Sequence, residues 1–241
     1  MLLVGLSLAP VFGWPLTNDD VSKKNCQECS NLFLGYIPLD LSQEKTVKLP
    51  EPLNDLPETF DWRNIDGENW NSPIRNQGQC GSCWAFGAIG ALEAAVNLEL
   101  NDSTIDLDLS EQYLVSCYPG HGCEEGGHAY YAWRWLDRHG GALLESCFPY
   151  EAWDVPCEDK CENWENLLVP LGDYWTARDS TDESIKQALL DHGPIVADMA
   201  VYDDLFKYRG GVYAHPQQPD EPKSDINHQP VIVGWNDNEE C

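Results

Sequence analysis

Two cysteines three positions apart, Cys80 and Cys83, sit in the stretch "NQGQCGSCWAF" at residues 76 to 86. That spacing fits a zinc clip, a redox pair, a structural staple, or a staple beside a nucleophile. If Cys83 opens a helix, its sulfur lies at the positive end of the helix dipole, beside unpaired backbone N–H groups that favour thiolate over thiol. A thiolate nucleophile needs an imidazole to hold the ion pair and later protonate a leaving amine. The attacked carbonyl needs donors for its developing oxyanion. Gln77 can supply a side-chain N–H and Cys83 its own backbone N–H. Of six histidines, at 121, 128, 139, 192, 215 and 228, His228 heads the strand-like run "HQPVIVGW", 145 residues beyond Cys83 (228 − 83). The other five read as surface or helix-end residues.

The elements that would position these groups follow from pattern. Ala85, Ile89, Leu92 and Val96 recur at helical spacing with alanines between them, so the helix after Cys83 is apolar on most sides and central. Ser110 before "EQYLVSC" predicts an N-cap and a short second helix, and "HAYYAWRWLDRHGG" (128 to 141) predicts a third, stopped by the glycine pair. Ser180 to Glu183 has capping-box spacing before "SIKQALLDHG", a helix ended by Gly193-Pro194. Then come "IVADMAVY", "GGVYAHP" and "HQPVIVGW", which read as strands. A helical half followed by a strand-rich half predicts an α+β chain of two subdomains with a cleft between them.

Composition narrows the partners. The 241 residues carry 14 Lys+Arg against 41 Asp+Glu, a formal charge of −27, which repels phosphate backbones and anionic lipid. Neither nucleic acid nor a membrane surface is expected as a partner. The acidic excess suits either high salt or an acidic medium. Ten cysteines are more than a reducing cytosol usually tolerates without metal. "MLLVGLSLAPVFG" (1 to 13) has signal-peptide length but no basic start, so it is an uncharged signal or the true start lies upstream. No other segment reads as a membrane span. Residues 14 to 56 read as a polar leader or linker without helical period, and Cys26-Gln-Glu-Cys29 within it as a local disulfide or loose pair more readily than half of a zinc site.

The chain resembles the papain-family, cathepsin-like cysteine proteases over residues 56 to 241. "CGSCW" with His228 at its distance matches a signature already known for that family, in which the histidine lies about 130 to 150 residues downstream. "LPETFDWR" (56 to 63) is similar to the family's mature N-terminus and "GCEEGG" (122 to 127) to its glycine-rich substrate loop. "FPYEAWDVPC" (148 to 157) and "YRGGVY" (208 to 213) resemble two further family segments. The resemblance implies a papain-like fold, with a helical left domain and a β-barrel-like right domain meeting at a cleft. It implies a cysteine-type peptidase acting through an acyl-thioenzyme on Cys83, with His228 as general acid/base and Gln77 plus the Cys83 amide as oxyanion donors. Gly126 and Gly127 would bind an extended peptide through their backbone. Disulfides Cys80–Cys123 and Cys117–Cys157 are likewise implied, which makes Cys80 the staple and Cys83 the nucleophile. Cys147–Cys161 is a third pairing, suggested by proximity in sequence alone.

The expected division is a signal peptide at 1–13, a leader or propeptide-like segment at 14–56, a helical left domain at 57–165 and a partial β-rich right domain at 166–241. A secreted or lysosome-like monomeric zymogen acting on peptides or proteins, without cofactor or metal, completes the expectation. Two departures from the family stand out. Its Asn-Ser-Trp segment, whose Asn orients the histidine, is absent, and Asn236 and Asn238 lie in an acidic loop without the motif. With strands of the right domain also wanting and Cys241 odd, the sequence reads as an incomplete chain, a natural short variant being the alternative, and as less active than one extended through the Asn segment. Gln229-Pro230 stands where cathepsins place a small residue beside the S2 pocket. Among rivals, a thioredoxin-like enzyme would need a βαβ context that the loop before Cys80 does not offer. A non-catalytic binding or storage protein of the same fold would be marked by loss of Cys, His or Gln, and all three remain.

Overall fold

The computed structural model describes residues 3–4, 35–40, 42, 44, 46–49, 52, 55–178, 180–215 and 226–239. Its strands, in chain order, are β1 (Leu3–Val4), β2 (Thr46–Val47), β3 (Thr59–Asp61), β4 (Ala142–Leu143), β5 (Leu168–Val169), β6 (Thr176–Ala177), β7 (Ile195–Ala197), β8 (Met199–Ala200), β9 (Ile226–His228), β10 (Val231–Ile232) and β11 (Gly234–Asn236). The helices are α1 (Cys83–Leu100), α2 (Glu111–Cys117), α3 (Ala129–Arg138) and α4 (Asp182–His192). Most of the signal-like stretch, Cys26, Cys29 and Cys241 lie outside the described residues.

Helix α1 begins on Cys83, as the small residues before it and the apolar spacing after it predict. Trp84, Ala85, Ala88, Ile89, Ala91 and Ala94 are all fully buried, so the alanines let α2 and α3 approach closely. Trp133 of α3 donates its indole N–H to the carbonyl of Ala88, 2.9 Å away. In length and composition α1 could cross a membrane, contrary to the sequence reading that only the N-terminus approached a span. Here it is the core helix of the first hydrophobic cluster, wrapped by α2, α3, Leu109, Leu143 and Phe148.

Local capping fixes the other helices. Ser110 Oγ accepts from the amide of Tyr113 at the start of α2. Past α3, Gly140 and Gly141 take φ of +94° and +136°, and the Gly141 amide closes on the Leu136 carbonyl. The N-cap of α4 is Thr181 rather than Ser180. Thr181 and Ser184 bond reciprocally, with Ser184 taking the part expected of Glu183, because its short hydroxyl reaches the Thr181 amide at 2.9 Å.

The second half is β-rich around a separate cluster of Ala177, Ile185, Ala188, Leu189, Ile195 and Ala197. The five-stranded sheet here runs β10-β7-β1-β6-β2, its β1 and β2 supplied by the N-terminal part of the chain. "HQPVIVGW" divides into the end of β9, β10 and β11, interrupted at Gln229-Pro230, where proline has no N–H to give a ladder. The stretch 210–215, expected as strand, is irregular: Gly210 and Gly211 carry φ of +151° and +85°, outside the extended region. Strand β11 pairs antiparallel with β3, Trp235 opposite Phe60, which ties the chain after His228 to residues 59–61. This α+β arrangement has the papain-like layout.

All three expected disulfides are formed: Cys80–Cys123, Cys117–Cys157 and Cys147–Cys161. The first binds the loop before α1 to the glycine loop at 122–127. Its closure is reinforced by the Gly81 amide donating to the Cys123 carbonyl at 2.9 Å.

Candidate active site

Cys83 is the described cysteine outside a disulfide, and it occupies the first position of α1 with 1% of its surface exposed. His228, at the end of β9, is 5% exposed. Both line one small cavity of about 60 Å³, together with Gln77, Phe86 and Gln229. The site is therefore assembled from the start of the core helix and from the turn between β9 and β10.

Its electrostatics correct one expectation. Burial pushes the Cys83 thiol up to about 12, although backbone N–H groups of Gln229 and Trp84 reach the sulfur and pull the other way. Burial also pulls His228 down to about 4. The helix dipole alone favoured a thiolate; enclosure outweighs it, so at neutral pH this state holds a thiol beside a neutral imidazole. His228 Nδ1 is buried without a hydrogen-bond partner among the described residues. Asn236 does not serve it: its side chain bonds Glu239 and the Asn238 amide on the edge of β11.

Gln77 is buried at the cavity wall and donates one side-chain N–H to the Cys80 carbonyl at 2.9 Å, leaving the second outside any hydrogen bond among the described residues. The two glycines differ in how they are used. Gly126, with φ of +74°, donates its amide to the Gly122 carbonyl and accepts from His121, so its backbone groups are spent inside the loop. Gly127 is buried, a Cβ there would strike the Trp84 ring at 2.5 Å, and its backbone groups bond outside the loop.

An extended segment already occupies Gly127. The Gly127 amide donates to the Gly35 carbonyl at 2.7 Å, and Ile37 donates back to the Gly127 carbonyl at 2.8 Å, making a parallel bridge centred on Tyr36. The leader then drops Leu39 into the first core and Leu49 into the second, and Glu44 ion-pairs with Arg134 of α3. No sequence pattern signals this docking, because a short segment pairing through its backbone leaves no periodicity.

His128 is a helix-end residue, capping α3 by accepting from the Tyr130 amide, but it is fully buried rather than at the surface and faces Asp198. The order His-Ala-Tyr-Tyr after two glycines could have signalled an N-cap, but its burial depends on residues about seventy positions away.

The model of the papain family of cysteine proteases matches residues 56–241. The chain belongs to that family. A cathepsin L-like peptidase of Aedes aegypti is 34% identical over 207 residues, covering 82% of this chain and 56% of that protein. Cathepsin S of Bos taurus is 31% identical over 204 residues, covering 83% and 57%. The chain thus spans little more than half the length of these curated cathepsin relatives. Among solved structures, the digestive procathepsin L2 proteinase of the Tenebrio molitor larval midgut superposes with a TM-score of 0.75 at 28% identity. That match covers 97% of this chain and 70% of the other, more than residues 56–241 alone could supply. The match thus reaches beyond the residues that the family model covers.

Proposed function

We propose that this chain carries the catalytic unit of a latent cysteine-type peptidase, with Cys83 as nucleophile and His228 as general acid/base. The observation that carries the reading is their convergence: a cysteine at the first position of a buried helix and a histidine from the opposite half line one cavity in a papain-family chain. With the site opened, solvation and the helix terminus favour transfer of the Cys83 proton to His228. The thiolate adds to the scissile carbonyl carbon, and the oxyanion takes hydrogen bonds from the free N–H of Gln77 and the Cys83 amide. Collapse breaks the C–N bond as His228 hands its proton to the leaving amine. Water, giving a proton to His228, then cleaves the thioester and restores the thiol.

Gly127 pairs the substrate's extended backbone, in the place where residues 35–37 pair in the latent form, and Gly126 keeps that approach clear of a side chain. A Cβ on Gly126 would lie 2.1 Å from the Gly35 carbonyl oxygen. Substrates are peptides or proteins. Three disulfides suit an oxidising, secreted or lysosome-like compartment, and the protein acts as a monomer without binding nucleic acid or membrane after leader removal. The signal at 1–13, the leader at 14–56 and the division near residue 165 belong to the same reading.

The test is peptide hydrolysis by the chain after cleavage ahead of residue 56, compared with Cys83→Ala. The wild type should turn over and the variant should not. Turnover retained by Cys83→Ala would overturn the assignment of the nucleophile, and a wild type that cuts no peptide would overturn the reaction itself.

A further inference from the structure

Beside Gly127 lies a buried polar cluster that the reaction does not use. Asp198, on the turn between β7 and β8, is 6% exposed, and its Oδ1 accepts from Gln229 Nε2 at 2.8 Å. His128 Nε2 lies 3.5 Å from the same oxygen. His128 Nδ1 accepts from the Tyr130 amide, and its Nε2, turned toward Asp198, lies 3.1 Å from Gln229 Nε2, so the ring is held from both sides. Gln229 Oε1 in turn accepts from the Ala129 amide at 2.9 Å. Each member is held by a neighbour, so Oδ1 of Asp198 is committed within the protein.

Oδ2 is not. Its partner is the hydroxyl of Tyr36, 3.0 Å away, on the residue whose backbone is bracketed by the two hydrogen bonds to Gly127. The Tyr36 ring stands 5.7 Å from that of His128. The leader is thus a built-in ligand: extended backbone on the glycine, an aromatic ring along His128, and a donor at its tip on a carboxylate oxygen.

We propose that Asp198, positioned by Gln229 and His128, makes the side-chain pocket next to Gly127 selective for substrate residues whose tip donates a hydrogen bond, with tyrosine as the model. The inference rests on the peptidase reading and adds substrate class to it. An apolar side chain of equal size would leave Oδ2 buried without a donor, which penalises phenylalanine relative to tyrosine. A carboxylate-tipped residue meets like charge and is rejected.

Two measurements decide it. Amide hydrogen exchange on the full chain needs no catalysis: Tyr36→Phe should speed exchange at Ile37 and Gly127 by roughly tenfold, and unchanged exchange would overturn the proposal. On the chain cleaved ahead of residue 56, a peptide library varied one position at a time should show tyrosine preferred over phenylalanine by roughly tenfold or more at one position. Asp198→Ala, and Asp198→Leu where alanine fails to fold, should bring that ratio to about one or invert it. A wild type indifferent between the two residues, or a preference untouched by both variants, would sink the idea. Should no peptide be cut, the peptidase reading fails by itself and the exchange result alone decides the pocket.

Discussion

Gly35 of the leader and Gly81 of the nucleophile loop are pressed together so closely that a Cβ on Gly35 would lie 1.7 Å from the Gly81 carbonyl oxygen. The contact places the leader on the loop that the Cys80–Cys123 bridge ties to residues 122–127. It also requires glycine twice over, since Gly35 has φ of +81°.

Gly35→Ala should therefore lift the stretch around Tyr36 away from Gly127. The backbone conformation alone costs on the order of 1–3 kcal/mol for a residue with a Cβ, before the clash is counted. Exchange of the Gly127 amide should rise at least about tenfold, and limited proteolysis should nick the leader sooner. Unchanged protection at Gly127 would show that the loop relaxes around the methyl.

The alkylation of Cys83 should depend on pH in two different ways. In the latent chain the thiol is pushed up to about 12 by burial, so iodoacetamide labelling should be slow at neutral pH and climb with each unit toward 12. After cleavage ahead of residue 56, labelling at pH 5 should become fast, because an opened site allows the thiolate and imidazolium to coexist. Identical profiles before and after cleavage would separate the leader from the enclosure of the thiol.

Glu93 makes folding stability fall as pH rises. It is buried in α1, where it accepts from the Leu109 amide, and burial pushes its carboxyl up to about 7 from 4.5. A raised folded value means the stabilisation is complete below 4.5 and is lost as pH climbs through 7, by on the order of 3 kcal/mol. Glu93→Gln keeps the acceptor and removes the titration, so denaturant melts at pH 4 and pH 8 should differ less than in the wild type. His228, pulled down to about 4 from 6.5, works with opposite sign: its share is present above 6.5 and is lost as pH falls through 4. Glu111 and Glu145, whose carboxyls burial also raises, act with the sign of Glu93 and against His228 in the variant.

Opening the Cys80–Cys123 bridge should cost about 2–4 kcal/mol, since it closes a loop spanning 43 positions. The paired change Cys80→Ser with Cys123→Ser should lower the urea midpoint accordingly. It should also speed exchange at Gly81, whose amide is held by the Cys123 carbonyl. A midpoint shift without the local loosening would assign the bridge a purely global role.

What the sequence disclosed and what it hid divide by range of interaction. Helix α1 was legible because Ala85, Ile89, Leu92 and Val96 repeat at 3.6-residue spacing, and Ser110 because a cap acts over three residues. Motif and separation pair Cys83 with His228, and both line one cavity. Thr181 displaced Ser180 as cap because two hydroxyls one residue apart compete for the same amide geometry, which sequence does not rank. The burial of His128 and the pairing of Tyr36 with Gly127 depend on segments far apart in the chain, and neither leaves a local trace. Gly210 and Gly211 misled in the opposite sense: β-branched and aromatic neighbours suggested strand, while two positive-φ glycines turned the chain aside.

The ladder between β3 and β11 continues past both strands, with Trp62 bonding the Val233 carbonyl and Asp237 the Glu58 carbonyl. A maturation cut ahead of Glu58 would therefore create a new chain end already zipped against the segment that follows the histidine. Severing the covalent link to the leader leaves the register of that zipper untouched, so the freed terminus acts as a splint. The histidine keeps its bearing on one side while the strap across the glycine departs on the other.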